Sequence, residues 1–105
     1  LADGFLAGKY RSDADVGAPG ASARAGDAAV YLNDRGRTVL AELDRVAAAH
    51  GAPVAAVSLA WLRQQPTIIA PLASARVPSQ LEALLASVTL ELTGDEVAAL
   101  NAASA

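Results

Sequence analysis

The stretch TIIAPLASARVPSQLEALL, residues 67–85, decides the predicted fold because it has the pattern of a buried strand followed by a helix. Its β-branched start, closed by Pro71, is typical of a strand buried on both faces, which we predict at residues 67–72. A helix follows over residues 79–87, with an apolar face that we expect to point inward. That face carries Leu81, Leu84, Leu85 and Val88.

A single buried strand cannot satisfy its own backbone hydrogen bonds, so this strand requires neighbours in a sheet. The only other strand that the chain could supply is a remnant at residues 1–3. The sequence therefore predicts an α/β fold, rich in helix and with one or two parallel strands, that forms a segment of a larger α/β domain.

Local signals bound three more helices. Asn33 is a good N-cap for the first, and Gly51 is a typical residue to follow its last turn. The second helix, over residues 54–64, is apolar on more than one side and is predicted to be largely buried. Thr93 and Glu96 form a T-x-x-E capping box for the last helix. The first helix has one apolar face, made by Val39, Leu40, Leu43, Val46 and Ala47.

Residues 11–29, RSDADVGAPGASARAGDAA, combine Gly, Pro, Ser and Asp without an apolar period, which predicts a long loop. Compact domains rarely keep so long a loop unless it has a role such as covering a ligand. A disordered linker is the alternative interpretation.

Composition narrows the classes of function. A chain of 105 residues fits one small domain, and its net charge of −3 argues against a nucleic-acid partner. With no cysteine, one histidine and no acidic cluster, we expect no metal site and an intracellular setting. No apolar run is long enough to span a bilayer, and no signal peptide is evident, so we expect a cytoplasmic protein.

No residue of the chain has the setting of a catalytic group. His50 lies at the end of a predicted helix, where a structural role at the helix C-terminus is favoured over catalysis. Tyr10 and Tyr31 lack a neighbour in sequence that would tune either as an acid. No Ser-His-Asp order, carboxylate pair or Walker-type loop is present.

Two stretches have the pattern of a backbone that approaches a ligand. In LADGFLAGKY, residues 1–10, glycines permit a close approach and Lys9 supplies a point charge for a phosphate. In PLASARVPSQLEALL, residues 71–85, Arg76 precedes a helix N-terminus and can hold a phosphate with two hydrogen bonds, while Gln80 could reach a base or ribose. A plain turn with a solvated lysine and an ordinary strand–helix link are the alternatives.

Taken together, these segments resemble the C-terminal part of the aldo/keto reductases, in the branch that also holds the β subunits of potassium channels. The resemblance is carried in order by LADGFLAGKY, SARAG, LDRVAAAHGAPVAAVSLAWLRQQP and IIAPLASARVPSQLEAL. It implies the closing quarter to third of a TIM barrel: the end of strand seven and a cofactor-covering loop (1–33), helices (34–65), strand eight (67–72) and C-terminal helices (79–104).

The resemblance also implies NADPH as cofactor and the reversible reduction of an aldehyde or ketone to an alcohol. Residues 1–3 match positions on the pyrophosphate side of the cofactor. Lys9 matches a phosphate-contacting lysine, and Arg24 matches an arginine of the covering loop. Ser74, Arg76 and Gln80 match positions around the 2′-phosphate and adenine. Ala7 replaces a usual Ser or Thr, and Ala83 and Leu84 replace a usual Glu-Asn pair, so NADPH is preferred to NADH on the charge of Arg76. The cofactor-binding positions are Leu1, Ala2, Asp3, Lys9, Arg24, Ser74, Arg76 and Gln80.

The family's catalytic Asp, Tyr, Lys and His belong to earlier strands, so no catalytic residue is assigned in this chain. We expect the isolated chain to be inactive and the partner of the whole protein to be a small carbonyl compound. A non-catalytic regulatory or interaction module that retains nucleotide binding is the alternative, and a small helical protein without a ligand is a weaker one.

Overall fold

The computed structural model describes residues 1–105, all of whose regular elements are helices. Six α-helices follow one another: α1 (Asp13–Val16), α2 (Ala25–Ala28), α3 (Asp34–His50), α4 (Val54–Arg63), α5 (Pro78–Thr89) and α6 (Gly94–Ser104). Short 3₁₀ helices at Ala2–Ala7 and Ala29–Tyr31 precede α1 and α3, respectively. No helix has the length and apolar character that crossing a membrane requires.

The core lies between α3, α4, α6 and the N-terminal 3₁₀ helix. α3 packs against α6 and α4, while α4 also contacts α5 and the N-terminal 3₁₀ helix. The predicted apolar face of α3 is confirmed, since four of its five residues are buried and Val39 is half-buried. The stretch 56–60 of α4 is buried throughout, as its apolar character on several sides predicted. The largest fully buried side chains are Phe5, Val46 and Val57.

The predicted helix ends are confirmed where a local signal marks them. The side-chain oxygen of Asn33 accepts a hydrogen bond of 2.9 Å from the backbone N–H of Gly36. Gly51 has a φ of 58°, the left-handed conformation that glycine adopts at low cost. Thr93 Oγ1 accepts from the N–H of Glu96, and the Glu96 carboxylate accepts from the N–H of Thr93. These caps depend only on neighbouring residues, which is why the sequence predicts them.

The prediction of one or two parallel strands is wrong for this chain. Residues 67–72 form a turn and then backbone without regular secondary structure, and the backbone of residues 69–75 makes no hydrogen bond. Ile69 and Leu72, predicted to be buried, are fully exposed. A strand exists only when a second strand pairs with it, and this chain contains no other strand.

The supposed strand remnant at residues 1–3 is also wrong. Ala2 begins a 3₁₀ helix, and Ala2 and Asp3 have φ values of 50° and 57°. A left-handed backbone cannot continue an extended strand. The chain therefore contains no sheet: its first residues form a 3₁₀ helix, and residues 67–72 form no regular element.

Two further expectations need correction. The face of α5 predicted to point inward is largely exposed, at 47% for Leu81, 60% for Leu85 and 65% for Val88, because nothing in this chain covers it. Periodicity predicts that an apolar face exists and not that a partner is present. The stretch 11–29, predicted as a structureless loop, contains the short helices α1 and α2.

Candidate functional site

The N-terminal turn forms the first wall of a polar cleft. Ala2, Asp3 and Gly4 have positive φ values of 50°, 57° and 97°, so the chain reverses direction sharply. The carbonyl of Leu1 accepts hydrogen bonds of 3.1 Å from the N–H groups of Gly4 and Leu6, which closes the turn. Two non-glycine residues in the left-handed region cost about 1–3 kcal/mol each, a strain typical of functional sites.

The segment between α1 and α2 forms the second wall. The hydroxyl of Tyr10, a residue only 4% exposed, accepts a hydrogen bond of 3.3 Å from the N–H of Ser22. Ser22 Oγ in turn accepts from the N–H of Arg24, and the Arg24 guanidinium comes within 4.0 Å of the Asp3 carboxylate. Tyr10 therefore holds this segment where Arg24 forms an ion pair with Asp3 of the first wall.

The third wall is the segment before α5. Gln80, in the first turn of α5, accepts a hydrogen bond of 2.7 Å through Oε1 from the N–H of Arg76. The same oxygen lies 3.4 Å from the N–H of Val77. The Gln80 side chain thus reaches back to fix the backbone of Arg76, and its Nε2 is the group left to donate to a ligand. The predicted contact of Gln80 with a base or ribose would use that nitrogen.

The cleft between these walls has a volume of about 480 Å³. Small-molecule sites commonly measure about 300–1,000 Å³, so the cleft has the size of a ligand site. Seven of the eight residues predicted to contact a cofactor line it: Leu1, Asp3, Lys9, Arg24, Ser74, Arg76 and Gln80. Three separate parts of the chain therefore meet at one cleft.

The eighth predicted residue, Ala2, lies on another surface. It lines a separate cavity of about 400 Å³, whose walls are mostly apolar and include Phe5, Leu43 and Trp61. Leu1 and Leu72 line both this cavity and the polar cleft, so the two spaces adjoin.

Tyr10 and Ser22 also line the polar cleft, although no motif in the sequence assigns either of them a role there. Their contribution is the hydrogen bond that joins the two walls. The position of Tyr10 next to Lys9 was the one local signal for it. Nothing near Ser22 in sequence predicts its partner, because the contact spans twelve residues.

Positive charge dominates the cleft. Lys9, Arg24 and Arg76 line it together with a single carboxylate, that of Asp3. Neither Lys9 nor Arg76 lies within ion-pair distance of an acidic side chain. A local excess of cations in a chain of net charge −3 favours an anionic ligand. Phosphate suits both types of cation present, a lysine point charge and the planar guanidinium fork.

The other candidate proton-transfer groups lie outside this cleft. His50 Nε2 donates to the carboxylate of Glu96, at 2.8 and 3.0 Å from its two oxygens. This contact joins the C-terminus of α3 to the N-terminus of α6. The ring of Tyr31 packs against Phe5 with 5.5 Å between the ring centroids. No group of three or more His, Asp or Glu side chains is arranged to hold a metal ion.

Comparison with known families gives one match. The model of the Aldo/keto reductase family matches residues 1–105. Such a match fits a part of a TIM barrel, although the chain itself is helical. A search among curated proteins finds no match.

Proposed function

The chain belongs to the aldo/keto reductase family of oxidoreductases, and from that premise we propose that it supplies part of an NADPH site. The reaction proposed for the whole protein is the reduction of an aldehyde or ketone to an alcohol. One observation carries the proposal: a single cleft collects Lys9, Arg24 and Arg76 from three separate segments. Those segments are the ones whose motifs resemble the family's cofactor site.

The donor groups of the cleft fit a dinucleotide that carries several phosphates. Lys9 follows the N-terminal turn and would hold the pyrophosphate as a point charge. Arg76 lies on the wall formed by the segment before α5, and its guanidinium can form two parallel hydrogen bonds to the 2′-phosphate that distinguishes NADPH from NADH. Gln80 Nε2 would donate to the adenosine end beside it. When bound, NADPH supplies the hydride for carbonyl reduction.

The residues of this chain would bind and orient the cofactor without moving a proton. The hydroxyl of Tyr10 accepts a hydrogen bond from Ser22, and its side chain is buried in the core. Tyr31 and His50 do not line the cleft. We therefore assign the proton donor to a part of the protein outside these 105 residues, in line with the family's Asp, Tyr, Lys and His set.

Replacement of Arg76 tests the proposal directly. In the complete protein, Arg76→Ala removes the charge assigned to the 2′-phosphate, so the Kd for NADPH should rise about 10- to 100-fold, as expected for a lost charged hydrogen bond. The Kd for NADH should change much less, because NADH lacks that phosphate. Isothermal titration calorimetry with both nucleotides measures the two values.

Arg37→Ala is a matched control for this experiment. Arg37 is an exposed arginine of α3 that lies 3.7 Å from Asp34 and does not line the cleft. Its replacement should leave both Kd values unchanged. An equal loss of NADPH and NADH binding in Arg76→Ala would reject the role assigned to Arg76.

A non-catalytic regulatory module that retains the nucleotide is the second candidate. It is supported by the structural partners of the chain's own histidine and tyrosines: His50 binds Glu96, Tyr10 accepts a hydrogen bond from Ser22, and Tyr31 packs against Phe5. NADPH binding by the complete protein without carbonyl reduction would support this candidate over the reductase. Turnover with an aldehyde or ketone would reject it.

A further inference from the structure

Arg11 joins three separate elements through its backbone and side chain. Its guanidinium donates to both carboxylate oxygens of Asp44 on α3, at 2.6 and 2.8 Å. Its Nε donates to the carbonyl oxygen of Gly8 at 3.0 Å, and its backbone N–H donates to Asp15 of α1 at 2.8 Å. The side-chain nitrogens of Arg11 therefore bind the N-terminal segment at Gly8 and helix α3 at Asp44.

These contacts hold the backbone on both sides of Lys9. Arg11 Nε binds the carbonyl of the residue before Lys9, while Tyr10, the residue after it, is buried in the core. The guanidinium also lies directly against Gly8, since a Cβ added there would come within 2.8 Å of Arg11 Nη2. The backbone of Lys9 is therefore held on both sides, although its own side chain is exposed.

Stability alone does not account for this arrangement. The side chains of Arg11 and Asp44 are 42% and 46% exposed, and ion pairs at such positions contribute little to folding. The bidentate geometry contributes direction instead, because the planar fork of arginine fixes the position of its partner. The Gly8 carbonyl is thereby tied to α3, a long helix of the core.

We propose that Arg11, held by Asp44, is a positioning residue that sets the place of Lys9 at the phosphate end of the cleft. This inference rests on the proposed function, because it assigns Arg11 a role in binding a nucleotide. Arg11 itself does not line the cleft and acts through Lys9 alone. Because both cofactors carry the pyrophosphate, Arg11 affects NADPH and NADH alike, in contrast to Arg76.

A double-mutant cycle in the complete protein tests this role. Arg11→Ala should raise the Kd for NADPH and for NADH by about tenfold in the wild-type background. In a Lys9→Ala background, where the assigned cation is already gone, Arg11→Ala should cause no further loss. Asp44→Asn, which keeps the shape of the partner and removes its charge, should give a smaller loss of the same kind.

The matched control is Arg45→Ala, which removes an exposed arginine of the same helix that pairs with Glu42 and lies outside the cleft. Its Kd values should equal those of the wild type. Circular dichroism shows whether each variant is folded. If Arg11→Ala does not fold, the affinity of Asp44→Asn is the test. Unchanged affinity in both Arg11→Ala and Asp44→Asn, or an equal loss in the Lys9→Ala background, would overturn the positioning role. A wild-type protein that binds neither nucleotide would overturn the proposed function, and this inference with it.

Discussion

Gly36, near the start of α3, has no side chain, so Tyr31 and Phe5 can pack closely against the helix. A Cβ at this position would lie 1.8 Å from the carbonyl oxygen of Tyr31 and 2.9 Å from Cζ of Phe5. The first neighbour is backbone, which cannot move aside without displacing the start of α3. The close approach of Tyr31 to α3 therefore requires glycine, even though glycine weakens a helix.

Gly36→Ala should destabilise the protein by about 1–3 kcal/mol, because overpacking outweighs the gain in helix propensity. Urea unfolding of the complete protein, followed by circular dichroism, measures the change. Gly26→Ala in α2 is the control, since a Cβ there meets nothing within 4 Å. Stability equal to or above that of the wild type in Gly36→Ala would show that the backbone contact is not close in solution.

At the scale of elements, the contact between α3 and α6 contains a buried carboxylate. Glu96 is 9% exposed and accepts hydrogen bonds from His50 Nε2 and from the N–H of Thr93. These bonds favour the charged carboxylate, the one from His50 most strongly, and they lower the pKa of Glu96 below its ordinary value. One residue thus caps α6 and binds the end of α3.

The lowered pKa of Glu96 predicts a loss of stability in acid. The pKa of Glu96 is lower in the folded than in the unfolded protein. Glu96 therefore stabilises the fold at pH values above 4.5, the ordinary pKa of its carboxyl group. That stabilisation disappears as the pH falls from there through the folded pKa. Asp44, whose pKa is lowered by the hydrogen bonds from Arg11, acts in the same direction.

Glu96→Gln should therefore flatten the dependence of unfolding free energy on pH across the acid range and lower stability at neutral pH. Urea titrations at a series of pH values measure this dependence. Glu82→Gln is the control, because Glu82 is exposed on α5 and takes part in no ion pair. An acid slope of the wild-type size in Glu96→Gln would contradict the assignment.

At the scale of the whole molecule, three separate segments of the chain meet at the polar cleft that we propose as part of a cofactor site. We predict that the isolated 105-residue chain does not oxidise NADPH in the presence of an aldehyde, because we assign the family's catalytic Asp, Tyr, Lys and His to a part of the protein outside these residues. The loss of nicotinamide absorbance measures the rate, with the complete protein as the control. Measurable oxidation by the isolated chain would reject the assignment of the catalytic set to another part of the protein.

The predicted cofactor contacts stay a prediction, whereas the predicted strand is wrong. Lys9, Arg24 and Arg76 were assigned from motifs that resemble the family, and the structure brings all three to one cleft. The strand predicted before Arg76 is absent, yet Gln80 still fixes the backbone of Arg76 from within α5. The hydrogen bond between Tyr10 and Ser22 could not be predicted, because it depends on how two loops meet.

By itself, the sequence determined the features that neighbouring residues decide. Asn33, Gly51 and the Thr93–Glu96 box end or begin helices through contacts within a few residues, so their patterns were sufficient. Only the tertiary structure decided that residues 67–72 form no strand and that one face of α5 stays exposed. A strand needs a second strand to pair with, and an apolar face needs another element to cover it. A local sequence pattern shows that such a partner is required and not whether the fold provides one.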